Sequence, residues 1–196
     1  MPTVTTCLGL SAIGVSGVIV SATIAVRGVS AREGSLFRRV NGAPDRWFLF
    51  VYVPMQFGTY ITTPVLATIA WTTGRHTGAI AVFAAGTCSW VLAKIVKRIA
   101  ARDRPQHALQ HDVSLRGPHE GGSGFPSGHA ATSMALAIVL GTMLGGWWWA
   151  LVLVLAAVTA FGRMYVGVHL PLDLVGGAGI GSAVAGLTLL MAGTLG

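Results

Sequence analysis

Three short runs in this sequence combine residue types that handle phosphate. The first is Gly124-Phe125-Pro126-Ser127-Gly128-His129, where a glycine-rich polar loop meets a long uncharged segment. Ser127 suits the N-cap of a helix starting there. A helix N-terminus offers unpaired N–H groups and the positive end of its dipole, and both attract a phosphate. His129 then falls in the first turn, beside that anion. The second run is Lys97 with Arg104-Pro105. The third is Arg163, His169 and Asp173, with five and then three residues between them. His169 and Asp173 are close enough for the carboxylate to fix the imidazole tautomer, the base-plus-orienter pairing of nucleophilic catalysis.

Each run alone has a plainer reading. Lys97 and Arg104 can be cations that snorkel at the end of a membrane span. Ser127 can cap a helix that happens to carry a histidine. His169 and Asp173 can form an interfacial ion pair. A functional reading depends on whether the chain brings the three runs together.

Composition says what kind of chain positions them. It is 53% hydrophobic and 10% charged, with a mean hydropathy of +0.70. A soluble domain carries about 25% charged residues. The expectation is an all-α, polytopic integral membrane protein, with residues 1–196 forming one domain. The net charge of +7 does not indicate nucleic acid, because Lys and Arg form no stripe with interleaved aromatics. A membrane surface or an anionic substrate fits it better. Cys7 and Cys88 lie in apolar segments and have no metal-ligand or disulfide spacing. No Lys or Arg precedes the first apolar segment, so it reads as a retained helix and not a cleaved leader.

Six spans follow from the uncharged stretches, given that a crossing needs about 20 residues. They are 4–26, 47–71 with Trp at both ends, 77–93, two spans within 130–162, and 174–196. The stretch 130–162 is too long for one crossing, and Gly145-Gly146 is the natural split. Residues 27–46 are polar; Leu36, Phe37 and Val40 share one face of a short interfacial helix there, or the segment is a solvated loop. Residues 103–127 form the longest polar loop. The glycines of the last span predict close helix packing. Two spans separate the loop before His129 from the loop after Gly162. Both loops, and with them all three runs, therefore fall on one face of the membrane, where buried charge is a mark of function.

In this order and on one face, the runs resemble the signature of the type 2 phosphatidic acid phosphatase superfamily. Its pattern is Lys, six residues, Arg-Pro; then Pro-Ser-Gly-His; then Ser-Arg, five residues, His, three residues, Asp. This chain departs once, with Gly162 in place of the serine. The resemblance implies a metal-independent lipid phosphatase with no cofactor. His169 would attack phosphorus, forming a phosphohistidine, and Asp173 would orient it. His129 would protonate the leaving oxygen and then activate water. Lys97, Arg104, Arg163, Ser127 and the Gly128 N–H would bind the phosphoryl oxygens. The implied substrate is a lipid phosphate or diphosphate, such as phosphatidic acid, phosphatidylglycerol phosphate or a polyprenyl phosphate or diphosphate. Soluble haloperoxidases share this site pattern, but the composition argues against them.

The rival from another class is an anion transporter or channel with a basic vestibule. It accounts for the cations and not for the spacings of His129, His169 and Asp173. A binding-only protein is weakened because every catalytic position is filled. His107 and His111 are at helical spacing, yet nothing nearby completes a zinc site. His119 belongs to the same loop, and His76 sits in the opposite turn. Sidedness is contested. All Lys and Arg except Arg75 fall on the active-site face, which the positive-inside rule places in the cytoplasm. The resemblance places it outside the cytoplasm, and that is the expectation taken here for a multi-pass cell-membrane protein.

Overall fold

The structure is a computed structural model, and it describes residues 2–109, 113–117 and 121–194. Every regular element among these residues is helical. Helix α1 is Val4–Ala25 and α2 is Ala31–Asn41. The next membrane segment is broken into α3 (Phe48–Met55) and α4 (Thr62–Thr72). Helix α5 is His76–Ala100, and α6 is the single turn Pro105–Ala108. The last three are α7 (Gly128–Leu144), α8 (Trp148–Tyr165) and α9 (Pro171–Thr194).

Four stretches are long and apolar enough to cross a membrane: Val4–Ala25, His76–Ala108, Trp148–Tyr165 and Pro171–Gly193. Helix α7 is a shorter apolar helix of 17 residues. The expected single span over 47–71 is not one helix. Pro54 lies inside α3 and removes a backbone donor. The chain turns through a 3-10 turn, Gln56–Gly58, before α4 starts. The hydroxyls of Thr59 and Thr62 both donate to the Gln56 carbonyl, at 2.7 and 2.8 Å. Such side chains satisfy backbone groups that a broken membrane helix leaves open.

The core of the bundle is α5, α7 and α9, with α1 along the outer side of α9 and α8 along α7. Glycine makes the close approaches possible. A Cβ on Gly177 would strike the carbonyl of Ser127 and come within 2.9 Å of the Ala130 Cβ. Gly179, on the next face, would meet the Gly14 carbonyl of α1 at 2.7 Å. The expected split between α7 and α8 falls at Gly145 and Gly146, both at positive φ (69° and 54°), where non-glycine residues are strained.

The 27–46 connection is helical at its centre. Its inner face is Glu33, Phe37 and Asn41, at spacing four, and all three are buried. Val40 is half-buried against the α3 and α8 side chains. Leu36 does not share that face and stands 48% exposed. The polar pair Glu33 and Asn41 shares the buried face with Phe37, while Leu36 is left outside. Cys7 is buried, whereas Cys88 faces outward from α5.

Candidate active site

The site is built where the N-termini of α7 and α9 meet. Ser127 has extended backbone dihedrals and its hydroxyl accepts from the Ala130 N–H at 3.4 Å, so it caps α7 as its residue type predicts. Its own N–H donates to the Asp173 carbonyl at 2.9 Å. Gly128 and His129 are therefore the first two residues of α7, beside the start of α9.

The third run has a local cause. Arg163 stands in the last turn of α8. Gly167 follows at φ +86° and donates to the Met164 carbonyl, a left-handed helix ending of the kind glycine favours. A side chain there would also crowd the Ser114 carbonyl at 2.6 Å. Val168, His169 and Leu170 then cross to α9, whose first residue is Pro171. Asp173 lies two residues further and reaches back, its Oδ2 accepting from the Leu170 N–H at 2.8 Å. That oxygen is also 3.4 Å from His169 Nδ1. Both side chains are buried. The contact turns His169 Nδ1 toward the carboxylate.

His169, His129, Gly128 and Lys97 line one cavity of about 200 Å³. Its remaining wall is Gly58, Tyr60, Trp90, Ala93 and Lys94. Tyr60 stacks on Trp90 with ring centroids 4.6 Å apart, and Lys94 Nζ lies 3.6 Å from the Trp90 ring centre. Gly58 is required here: a Cβ would come within 2.6 Å of the His129 carbonyl. A second cavity of about 180 Å³ shares His129 and adds Arg163, Arg116, Tyr52 and Gln56. Arg163 itself is buried.

Among the described residues, Arg104 and Ser127 line neither cavity. Arg104 is buried and donates to the carbonyls of Gly121, Gly122 and Val168, at 3.0 to 3.1 Å. It ties the glycine-rich loop to the residue before His169. Loop residues 113–116 are fastened by a separate set. Asn41 Nδ2 donates to the Ser114 and Tyr165 carbonyls, and Arg116 donates to the Asn41 and Tyr165 carbonyls. His107 is exposed and contacts Gln106; His111 and His119 lie outside the described residues. His76 begins α5 and packs edge-on against Trp71. No group of three His, Cys, Asp or Glu gathers in metal-binding fashion among the described residues.

Sequence reasoning missed several residues around the site. Tyr60, Trp90, Lys94 and Gly58 carried no motif. Arg102, which had no role assigned, donates to Asp173 Oδ1 at 2.7 Å and to Glu33 Oε2 at 2.7 Å. Glu33 offered one clue, since Ser30 and Glu33 are spaced as a capping box.

The helical bundle and the three motifs gathered at one end of it define a known family. The chain belongs to the PAP2 superfamily, whose model matches residues 75–196. It is 40% identical over 101 residues to a lipid A 4'-phosphatase of Bacteroides thetaiotaomicron, matching 50% of this chain and 44% of that protein. It is 27% identical to an undecaprenyl-diphosphatase of Sulfolobus acidocaldarius, covering 74% of this chain and 70% of the relative. The crystal structure of Aquifex aeolicus LpxE superposes with a TM-score of 0.74 at 27% identity, over 82% of this chain and 96% of that one. A PAP2-type phosphatidylglycerolphosphate phosphatase from Bacillus subtilis shares the fold, with a TM-score of 0.72 at 17% identity over 93% and 97% of the two chains.

Proposed function

We propose that the chain hydrolyses the phosphate or diphosphate of a membrane lipid through a phosphohistidine on His169. One observation carries this reading. His169 has Asp173 at its Nδ1 and shares a cavity with His129 and Lys97. With Nδ1 turned to the carboxylate, Nε2 is the nitrogen that attacks phosphorus, and Asp173 supports the positive charge that forms on the ring. His129 gives its proton to the leaving oxygen and later takes one from the attacking water, which restores His169.

Lys97 and Arg163 supply positive charge to the phosphoryl oxygens from the two cavities that meet at His129. Arg104 adds to that field while holding the loop, and the Gly128 N–H lies at the start of α7. Ser127 acts through its cap. The reading needs no metal, since these cations and the helix N-terminus carry the charge neutralisation.

The bundle crosses the membrane six times in this reading: α1, α3 with α4, α5, α7, α8 and α9. At 1.5 Å per residue α7 spans about 26 Å, close to the hydrocarbon thickness. The whole chain is one catalytic unit. Its active-site face is extracytoplasmic, supported by the family resemblance against the count of arginines. The exposed apolar surface of α1 and α4 faces lipid.

The rival reading, an anion transporter, gives no work to the His169–Asp173 contact. A substrate panel separates the two and selects the lipid. Purified protein is offered phosphatidic acid, phosphatidylglycerol phosphate, a polyprenyl diphosphate and lipid A, and inorganic phosphate is measured. Release from at least one supports hydrolysis. Release from none, with anion flux in vesicles, supports transport.

A further inference from the structure

Helix α2 contributes a carboxylate to the machinery behind His169. In an ordinary capping box the N3 glutamate would turn back to the N–H of its own N-cap residue. Only half of that box forms here: the Ser30 hydroxyl accepts from the Glu33 N–H at 3.2 Å. The Glu33 carboxylate instead points into the protein and is 4% exposed. Its Oε2 takes a hydrogen bond from Arg102 Nη2 at 2.7 Å, and its Oε1 takes one from the Leu172 N–H at 3.1 Å. Arg102 Nη1 donates in turn to Asp173 Oδ1 at 2.7 Å.

We infer that Glu33 is a positioning residue for the reaction: it locks Arg102, and through Arg102 the carboxylate plane of Asp173, so that His169 is held in its attacking orientation. This rests on the nucleophile assignment made above. The geometry closes a ring. Glu33 touches α9 directly through Leu172 and indirectly through Arg102 and Asp173. Two points on α9 are thus fixed from one carboxylate on α2. Asp173 has an oxygen for each neighbour: Oδ1 for Arg102, and Oδ2 for the Leu170 N–H and His169. A carboxylate held at both oxygens cannot rotate. Arg102 has no such constraint unless its second nitrogen is also held, and Glu33 holds it.

A merely stabilising ion pair is the competing explanation. Buried pairs often contribute little net stability compared with apolar replacements. Here the pair is directed at the carboxylate that contacts the proposed nucleophile, and its effect should appear in turnover.

The test is a double-mutant cycle on purified protein, with the most rapidly hydrolysed lipid of the panel as substrate. Glu33→Gln keeps the shape and removes the charge. It should lower kcat about tenfold, as loss of orientation does, with KM close to wild type; the melting temperature should fall, since one member of a buried pair loses its charge, and kcat is read well below it. In an Asp173→Asn background the same change should cost less than about twofold, because its route to His169 is already cut. If Glu33→Gln does not fold, Glu33→Gln/Arg102→Gln takes its place, since it removes the charge and its partner together. Unchanged kcat in Glu33→Gln would overturn the proposal, as would losses that multiply in the double variant. His169→Ala is the control. If it turns over normally, the nucleophile assignment falls and this inference falls with it. If it is inactive while Glu33→Gln is normal, only the inference falls.

Discussion

The Ser127 N–H donates to the Asp173 carbonyl at 2.9 Å. One hydrogen bond thus joins the helix start that presents His129 to the helix start that presents Asp173. The residues come from runs far apart in sequence, and their relative placement rests on this junction. The glycines of α9 allow it by bringing its backbone against α7.

The first prediction concerns the nucleophile. His169→Ala should lower phosphate release by about a thousandfold or more, as removal of a nucleophile does. Asp173→Asn should cost less, because it leaves the imidazole in place. Turnover of both variants is measured with the selected lipid phosphate. Normal release by His169→Ala would sink the phosphohistidine route.

The second concerns transition-state mimicry. Vanadate becomes five-coordinate readily and can bond to the nucleophilic nitrogen, so it should inhibit in competition with the lipid phosphate. Arg163→Ala should weaken vanadate and lower turnover together. Chelator should leave activity intact. Loss with chelator, recovery on adding a divalent metal, and indifference to vanadate would overturn the scheme.

A third prediction addresses the junction itself. Gly177→Ala puts a Cβ against the Ser127 carbonyl and Ala130. Overpacking of this kind costs about 1–3 kcal/mol. The variant should melt lower in detergent and turn over more slowly, since the α7 and α9 starts must move apart. A variant with wild-type melting and kcat would show that the junction is not close-packed.

Sidedness gives the fourth. In a Cys7→Ala/Cys88→Ala background, cysteine at Ser114 should react with an impermeant thiol reagent on intact cells. Cysteine at Thr73, in the opposite turn, should not. Both positions are exposed. The reverse pattern would place the site in the cytoplasm.

Much of this was readable from residue types. Ser127 signalled a cap and forms one. Gly145-Gly146 signalled a break and supplies it. The glycines of α9 signalled close packing and lie against α7 and α1. These are local properties, or properties of one helix face, and they survive translation into structure. Partner choice across the fold is not local. Glu33 carries a capping-box spacing, yet its carboxylate goes to Arg102 and Leu172 because α9 lies within reach. Leu36 and Phe37 are both apolar, and only the packing of α2 decides that Phe37 goes inside. Gly58 looks like a turn residue until the His129 carbonyl is found beside it. The 47–71 segment was expected as one span; Pro54 lies in it, but a kinked span and two separate helices read the same in sequence.

Among the described residues, long-range polar ties gather around the site. The site end is cross-linked by Glu33, Arg102, Arg104, Asn41 and Arg116, each joining segments distant in the chain. Toward the far end, Arg75 donates to the Met143 carbonyl at 3.1 Å. Gly145 and Gly146 there have open space around their α-carbons. For anyone handling the protein, that turn is the place to insert an epitope or a reporter domain. An insertion there leaves the network around His169 out of reach.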